Sequence, residues 1–430
     1  MIYKPRQNPM AWVPTLYFCK GLPYVILMTV SLVLYKQMGL TNAETTFYTA
    51  WLHLPWVLKP MWQPFVAQKG MLRWWILGSE ILTGAALAGV ALTLPAPFSL
   101  QASLALFWLA AFSCAVHNYA ADELFLRTQG PRHTPVYWTR TVFYRLATFA
   151  AQGILVMMAG NLQVVYRGSM GYSWSLVLYG VAGLSVLLWI YHGLSVPAEK
   201  RRSIYRITSR RSIAQTIGEA ADTTRLFFRK PAVATATLFM LLYRLPEGLL
   251  SKVSVLFLID ASHRGGLGLS PQEYGLVAGT VAVAGLSLGG VLGAMAMVRG
   301  GLRRWLWPMA AAMSLPNIVY LYLSHALPGN LMSIALCLFV EQLGYGFGFV
   351  AYMMFIKRYV SGYLKAPHLT LAKSLMALSM MLPGMLSGWA QTMTGYRDYF
   401  LLVVLSGIAT IIVTWMASRE IKKSSRRKTK

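Results

Sequence analysis

The apolar residues of this chain come in long runs separated by short polar segments. Runs of about 20 residues or more, enough to cross a bilayer as a helix, cover 11–35, 44–66, 72–94, 100–126, 134–160 and 171–195. A second set covers 231–260, 271–298, 303–324, 329–356, 366–394 and 396–418. The pattern predicts twelve membrane-spanning helices in two groups of six. Between the groups lies the longest polar stretch, 197–230, with nine Lys or Arg against three acids. The domain expectation follows: a six-helix bundle at 1–195, a basic linker at 196–230, a second bundle at 231–418 and a basic tail at 419–430.

Composition supports this reading. Of 430 residues 56% are apolar and 12% charged, against about a quarter charged in a soluble domain. Mean hydropathy is +0.51. The net charge of +26 would suggest nucleic acid in a soluble protein. Here the basic residues sit mostly between apolar runs, so no nucleic-acid partner is expected and the basic clusters read as topology signals. Lys4, Arg6, Lys69, Arg73, Arg127, Arg132, Arg299, Arg303, Arg304, Lys357, Arg358 and Lys365 mark one set of loops, together with the linker and the tail. The alternate loops are nearly bare, with no Lys or Arg at 37–43, 95–99 or 325–329 and single arginines at Arg167, Arg264 and Arg397. The positive-inside rule then places both termini in the cytoplasm. No cleavable signal peptide is expected, because the first apolar run is too long for one. Cys19, Cys114 and Cys337 lie far apart inside apolar runs and form neither a disulfide nor a zinc spacing pattern.

Six plus six spans around a basic central loop is the layout of the major facilitator superfamily. Gly285, Gly289 and Gly293, and likewise Gly384 and Gly388, recur at four-residue spacing and read as close-packing seams.

Ionisable residues within spans are costly, so each is a candidate for function. The deep cations are Lys20, Lys59, Arg140, Arg145 and Arg244; the deep acids are Asp122, Glu247 and Glu341, with Glu80 nearer the inner surface. Glu123 and Arg127 are four apart on one helix and read as a rim ion pair. Asp122 and Arg140 lie at similar depth on consecutive spans, which allows a structural pair, and Arg244 with Glu247 could neutralise each other. Lys252 is expected to snorkel outward. No basic residue lies near Glu341 in sequence, and the glycines of Glu341-Gln-Leu-Gly-Tyr-Gly-Phe-Gly allow close approach. That marks Glu341 as a proton-titrating or substrate-facing residue. A cavity lined by the surplus of cations would attract an anion, with Tyr17, Tyr24 and Trp62 as stacking surfaces. There is no P-loop, G-x-S-x-G or H-E-x-x-H. His117 with Asp122 could imitate an acyltransferase pair, so a membrane enzyme stays as a remote alternative, and no cofactor or metal is expected.

Several segments resemble the AmpG-type muropeptide permeases, a major facilitator branch related to acetyl-CoA and siderophore importers. They are Gly21-Leu-Pro23, Lys59-Pro-Met-Trp62-Gln-Pro64, His117-Asn118-Tyr-Ala-Ala-Asp122, Tyr243-Arg244-Leu-Pro-Glu247, Gly268-Leu-Ser-Pro-Gln-Glu-Tyr-Gly275 and Gly395-Tyr396 with Phe400. Ala67 and Asn118 stand where the family pattern has acids. The resemblance implies an all-α membrane protein of the major facilitator fold, importing a partly anionic solute across a bacterial inner membrane. Cell-wall fragments lead, and siderophores or other organic anions are the alternative. Lys20, Lys59, Arg145, Arg244, Tyr17, Tyr24, Trp62 and Asn118 are the expected solute contacts, and Asp122, Glu247 and Glu341 the expected proton carriers. The expected partners are the solute, the proton and the bilayer, with the protein a monomer.

Overall fold

The computed structural model describes residues 8–67, 72–129, 134–197, 213–362 and 364–426. Lys4, Arg6, Lys69, Arg132 and linker residues 198–212, on which much of the predicted orientation rests, lie outside them. The described residues are helical, with no strand among them. That is what a hydrocarbon solvent demands, since a helix pairs its own backbone groups.

The twelve predicted spans are all present as helix. Span 1 is Pro9–Gln37. Span 2 comes in three pieces, Asn42–Trp51, Leu54–Val57 and Lys59–Ala67, broken around Pro55 and Pro60 because proline removes an N–H and crowds the preceding turn. Spans 3 and 4 are Leu72–Thr93 and Ser99–Gln129. Span 5 runs from Thr134 through a π-helical turn at Ala150–Leu155 to Val165, and span 6 is Met170–Ser195. Span 7 is interrupted between Val233–Leu242 and Leu245–Ile259. One continuous stretch, Pro271–Ala326, divides into spans 8 and 9 at Gly301, where φ is 65°. Span 10 is Leu331–Tyr359, and Lys365–Arg426 divides into spans 11 and 12 at Gly395, where φ is 76°. Only glycine enters this left-handed region without steric cost. Both breaks fall where the apolar runs were expected to end.

Spans 2 and 8 open on the same device. Thr41 with Glu44, and Ser270 with Glu273, each form a reciprocal capping box that satisfies backbone donors at the helix start. A linker helix, Ile213–Phe228, precedes span 7 and buries Phe227 among Phe239, Tyr352 and Phe355.

The chain forms two compact units. One groups Met1–Val30 with Met61–Ala220, the other Ser31–Pro60 with Ala221–Lys430. The core of the first packs Trp12, Leu16 and Tyr17 of span 1 against Ile76 of span 3 and Leu124 and Phe125 of span 4. Lipid is as apolar as these side chains, so close packing rather than water exclusion holds the helices together. In the second unit the predicted glycine seams do this. A Cβ on Gly285 or Gly289 would collide with the carbonyls of Phe339 or Leu343 on span 10, and one on Gly388 with Asn42 and Thr46 of span 2. The glycines after Glu341 behave likewise. Gly344, Gly346 and Gly348 are filled by backbone of residues 286–313 on spans 8 and 9, so helices rather than a ligand occupy that approach.

Candidate solute and proton sites

In the first unit, span 1 carries Tyr17 and Lys20 one turn apart on the face toward span 4. Lys20 Nζ lies 2.6 Å from Asp122 Oδ1, and the Tyr17 hydroxyl donates to the same oxygen at 2.9 Å. Lys20 is therefore a partner of Asp122. Arg140, the expected partner of Asp122, lies over the rings of Tyr17, Phe125 and Tyr137, its guanidinium 4.9–5.5 Å from their centroids. Each such contact contributes about 0.5–2 kcal/mol, depending on desolvation. Arg145 and Tyr24 are half-buried. Asn118 is buried. Trp62 meets Tyr119 edge-on at 6.2 Å. The Glu123–Arg127 rim pair is present at 2.8 Å with both side chains partly exposed.

Glu80 is buried, and its Oε1 lies 3.0 Å from His117 Nε2 and 2.7 Å from His192 Nδ1. His192 Nε2 in turn reaches the Thr15 hydroxyl at 3.0 Å. His117 thus pairs with Glu80 of span 3 instead of Asp122 of its own helix. Nothing in the spacing of the sequence announces this group, because its members stand on four different spans.

In the second unit, two buried cations sit where helices are interrupted. Lys59 begins the last piece of span 2, and Arg244 occupies the break of span 7, directly before Leu245. Helix breaks expose backbone polar groups and half-helix ends, and transporters build sites there. Arg244 donates to the Tyr345 hydroxyl and lies over Tyr345, Phe349 and Tyr352, 5.0–5.7 Å from their centroids. Its charge also acts on Glu247. Glu247 and Glu341 are both buried and close enough for their charges to interact. The side-chain hydrogen bonds seen for Glu341 come from the Gln342 amide, at 3.0 and 3.3 Å. No ion pair to Glu341 occurs among the described residues.

Lys252 corrects an expectation. It is buried and donates to Thr49 Oγ1 at 3.1 Å, because span 7 turns this face toward the start of span 2 and not to the surface. A second missed group lies at the end of span 7. Asp260 pairs with Lys36 at 2.8 Å, accepts the Tyr396 hydroxyl at 2.6 Å and the Asn42 amide at 3.0 Å, while Asn42 also reaches Gln391 at 2.8 Å. Burial pushes the Asp260 carboxyl up, but the hydrogen bonds from Lys36, Tyr396 and Asn42, with the Lys36 charge, outweigh it and hold it below its ordinary value.

Comparison with known proteins fits this geometry. No family profile matches the chain. In sequence it is 22% identical over 403 residues to Putative transporter AmpG 4 of Rickettsia conorii, spanning 91% of this chain and 92% of that protein. In structure it superposes on the tetrameric transporter PepTSo2 with a TM-score of 0.72 at 11% identity, covering 97% of this chain and 98% of the other. A bacterial homologue of the human lysosomal transporter Spinster, inward-facing and unoccupied, gives 0.68 at 17% identity with 98% of each chain covered. The xylose transporter XylE of E. coli, inward open, gives 0.66 at 12%, covering 93% and 94%. At these identities the structures establish the fold, which is the multi-pass fold of the major facilitator transporters. Within that class the sequence resembles the AmpG-type proteins.

Proposed function

We propose that this protein is a proton-coupled importer that carries a partly anionic solute, such as an anhydro-muropeptide, across a bacterial inner membrane by alternating access, with both termini cytoplasmic. One observation carries the reading. A single compact unit holds two buried cations at helix breaks, Lys59 and Arg244, and a buried pair of carboxyl groups, Glu247 and Glu341. Cations at interrupted helices suit an anionic group, since the positive end of the half-helix beginning at Leu245 adds to the Arg244 charge. Two like charges at low dielectric repel each other, and a proton taken up between them relieves this. Arg145, Tyr24, Trp62 and Asn118 are the candidate solute contacts of the first unit, taken by itself. Lys20 and Tyr17 would contribute only where the solute competes with Asp122.

The Lys36–Asp260 network joins the end of span 1 and the start of span 2 to the end of span 7, to span 11 and to the start of span 12 within one unit.

The test is uptake in proteoliposomes. Labelled anhydro-muropeptide should accumulate when the outside is more acidic than the vesicle interior. Glu341→Gln should abolish that accumulation while leaving solute exchange at equal pH largely intact. Full accumulation by Glu341→Gln would remove Glu341 from coupling, and no uptake of muropeptide by folded wild-type protein would reject this solute class. A reporter fused after Arg210 should read as cytoplasmic, and a periplasmic signal there would reject the orientation.

A further inference from the structure

Spans 1, 3, 4 and 6 enclose a group of side chains that the transport reading does not use. Cys19, Glu80, His117 and His192 are all buried. Both imidazoles address the same carboxylate oxygen, Glu80 Oε1, and the other oxygen, Oε2, has no hydrogen-bond partner. The Cys19 sulfur, a Glu80 oxygen and a His117 ring nitrogen lie within 4.8 Å of one another. Together with Cys114 they line a cavity of about 10 Å³, room for one water-sized guest.

The donor set of this group identifies the guest. Glu80 Oε2 is a bare carboxylate oxygen inside an apolar bundle, which is costly there. A divalent ion held by the carboxylate and a thiolate is electrically neutral, because the two ligand charges cancel its own. Sulfur, imidazole nitrogen and carboxylate oxygen together form a donor set for Zn²⁺ and its first-row neighbours. Mg²⁺ and Ca²⁺ call for six or more oxygen ligands, which this cavity does not offer.

We propose that Cys19, Glu80 and His117 bind one zinc-class divalent ion that ties spans 1, 3 and 4 together. Bond lengths near 2.0–2.3 Å set tetrahedral ligand atoms about 3.3–3.8 Å apart, inside the 4.8 Å that bounds the three atoms here. The ion replaces the Cys19 thiol proton, which leaves to solvent, and the fourth position falls in the cavity. His192, itself anchored on Thr15, is a positioning residue that orients the Glu80 carboxylate from outside the ligand set.

The wild-type protein carries the decisive test, so nothing depends on a variant folding. Chelator-stripped protein in detergent is titrated with Zn²⁺ by calorimetry and with Co²⁺ by absorption. We expect one equivalent bound per chain, a thiolate-to-cobalt charge-transfer band and a raised unfolding midpoint. Cys19→Ser removes the band, His192→Gln weakens Zn²⁺ binding about 10–100-fold, and Cys337→Ser changes nothing. Absence of stoichiometric uptake by folded wild-type protein, or a band that persists in Cys19→Ser, overturns the proposal and leaves the group as a proton-sharing cluster.

Discussion

Glu80 and Glu341 are both sealed inside apolar helices, at 2% and 1% exposure, yet the fold treats them in opposite ways. Glu80 receives two imidazoles on one oxygen. Glu341 receives one neighbouring amide and the repulsion of Glu247. A carboxylate clad in donors from two other helices is a fixture, because removing it strands those donors in the interior. A carboxylate without such donors contributes little to stability and is available for chemistry. Burial alone does not separate these two carboxylates; the number of donors aimed at each does.

The largest test of that contrast is Glu80→Ala against Glu341→Ala. The first leaves two buried imidazoles without an acceptor and should cost about 3 kcal/mol of stability. The second removes a poorly served polar group and should change stability by less than about 1 kcal/mol. Denaturation midpoints in detergent measure both, and the reverse order would break the comparison. His117→Gln refines it, since loss of one of two donors should fall between the two.

The same rule applies to Asp260, which accepts from three side chains. Asp260→Asn should weaken this network by about 2 kcal/mol, the scale of a lost charge-assisted hydrogen bond. Labelling of Asn42→Cys by an impermeant thiol reagent should rise correspondingly when Asp260→Asn is added. Acid should do the same only at the extreme. The carboxyl is held below its ordinary value of 3.8, so its contribution is complete above that value and is lost as pH falls through the still lower folded-state value. Labelling should therefore be flat from neutral to mildly acidic pH; a rise there would mean that another group controls the network.

A smaller effect is expected at Arg244, where a planar guanidinium covers three rings. Arg244→Lys keeps the charge but loses the stacking and should weaken solute binding by about 1 kcal/mol, read by calorimetry. Equal affinity would show that only the charge matters. The smallest is Glu123→Gln. Its pair with Arg127 is partly exposed, so stability should shift by no more than about 0.5 kcal/mol and transport should be nearly normal.

The spans themselves were legible in the sequence, and for a physical reason. A helix in hydrocarbon must satisfy its own backbone, so its extent is a local property of an apolar run. That is why the boundary expected between 298 and 303 falls at Gly301, and the one expected between 394 and 396 at Gly395. The rim pair of Glu123 and Arg127 was legible on the same terms, one turn apart on one helix. So were the glycine seams, whose spacing records a stripe on one helix face, although the sequence did not say that the stripe of span 8 meets span 10.

What tertiary structure alone decided is which charge meets which. Lys20 and Asp122 are 102 residues apart, Glu80 and His192 112, Thr49 and Lys252 203, and Asn42 and Asp260 218. Charge in a bilayer forces each deep ionisable residue to find a partner or a polar cavity, and sequence composition reveals that need. It cannot choose the partner, because that depends on how each helix is rotated about its axis and which neighbour it faces. Lys252, expected at the surface and found on Thr49, shows the rotation deciding. The convergence of Cys19, Glu80 and His117 from three spans shows the same: their spacing along the chain carries no ligand pattern, and only helix packing places sulfur, oxygen and nitrogen around one cavity.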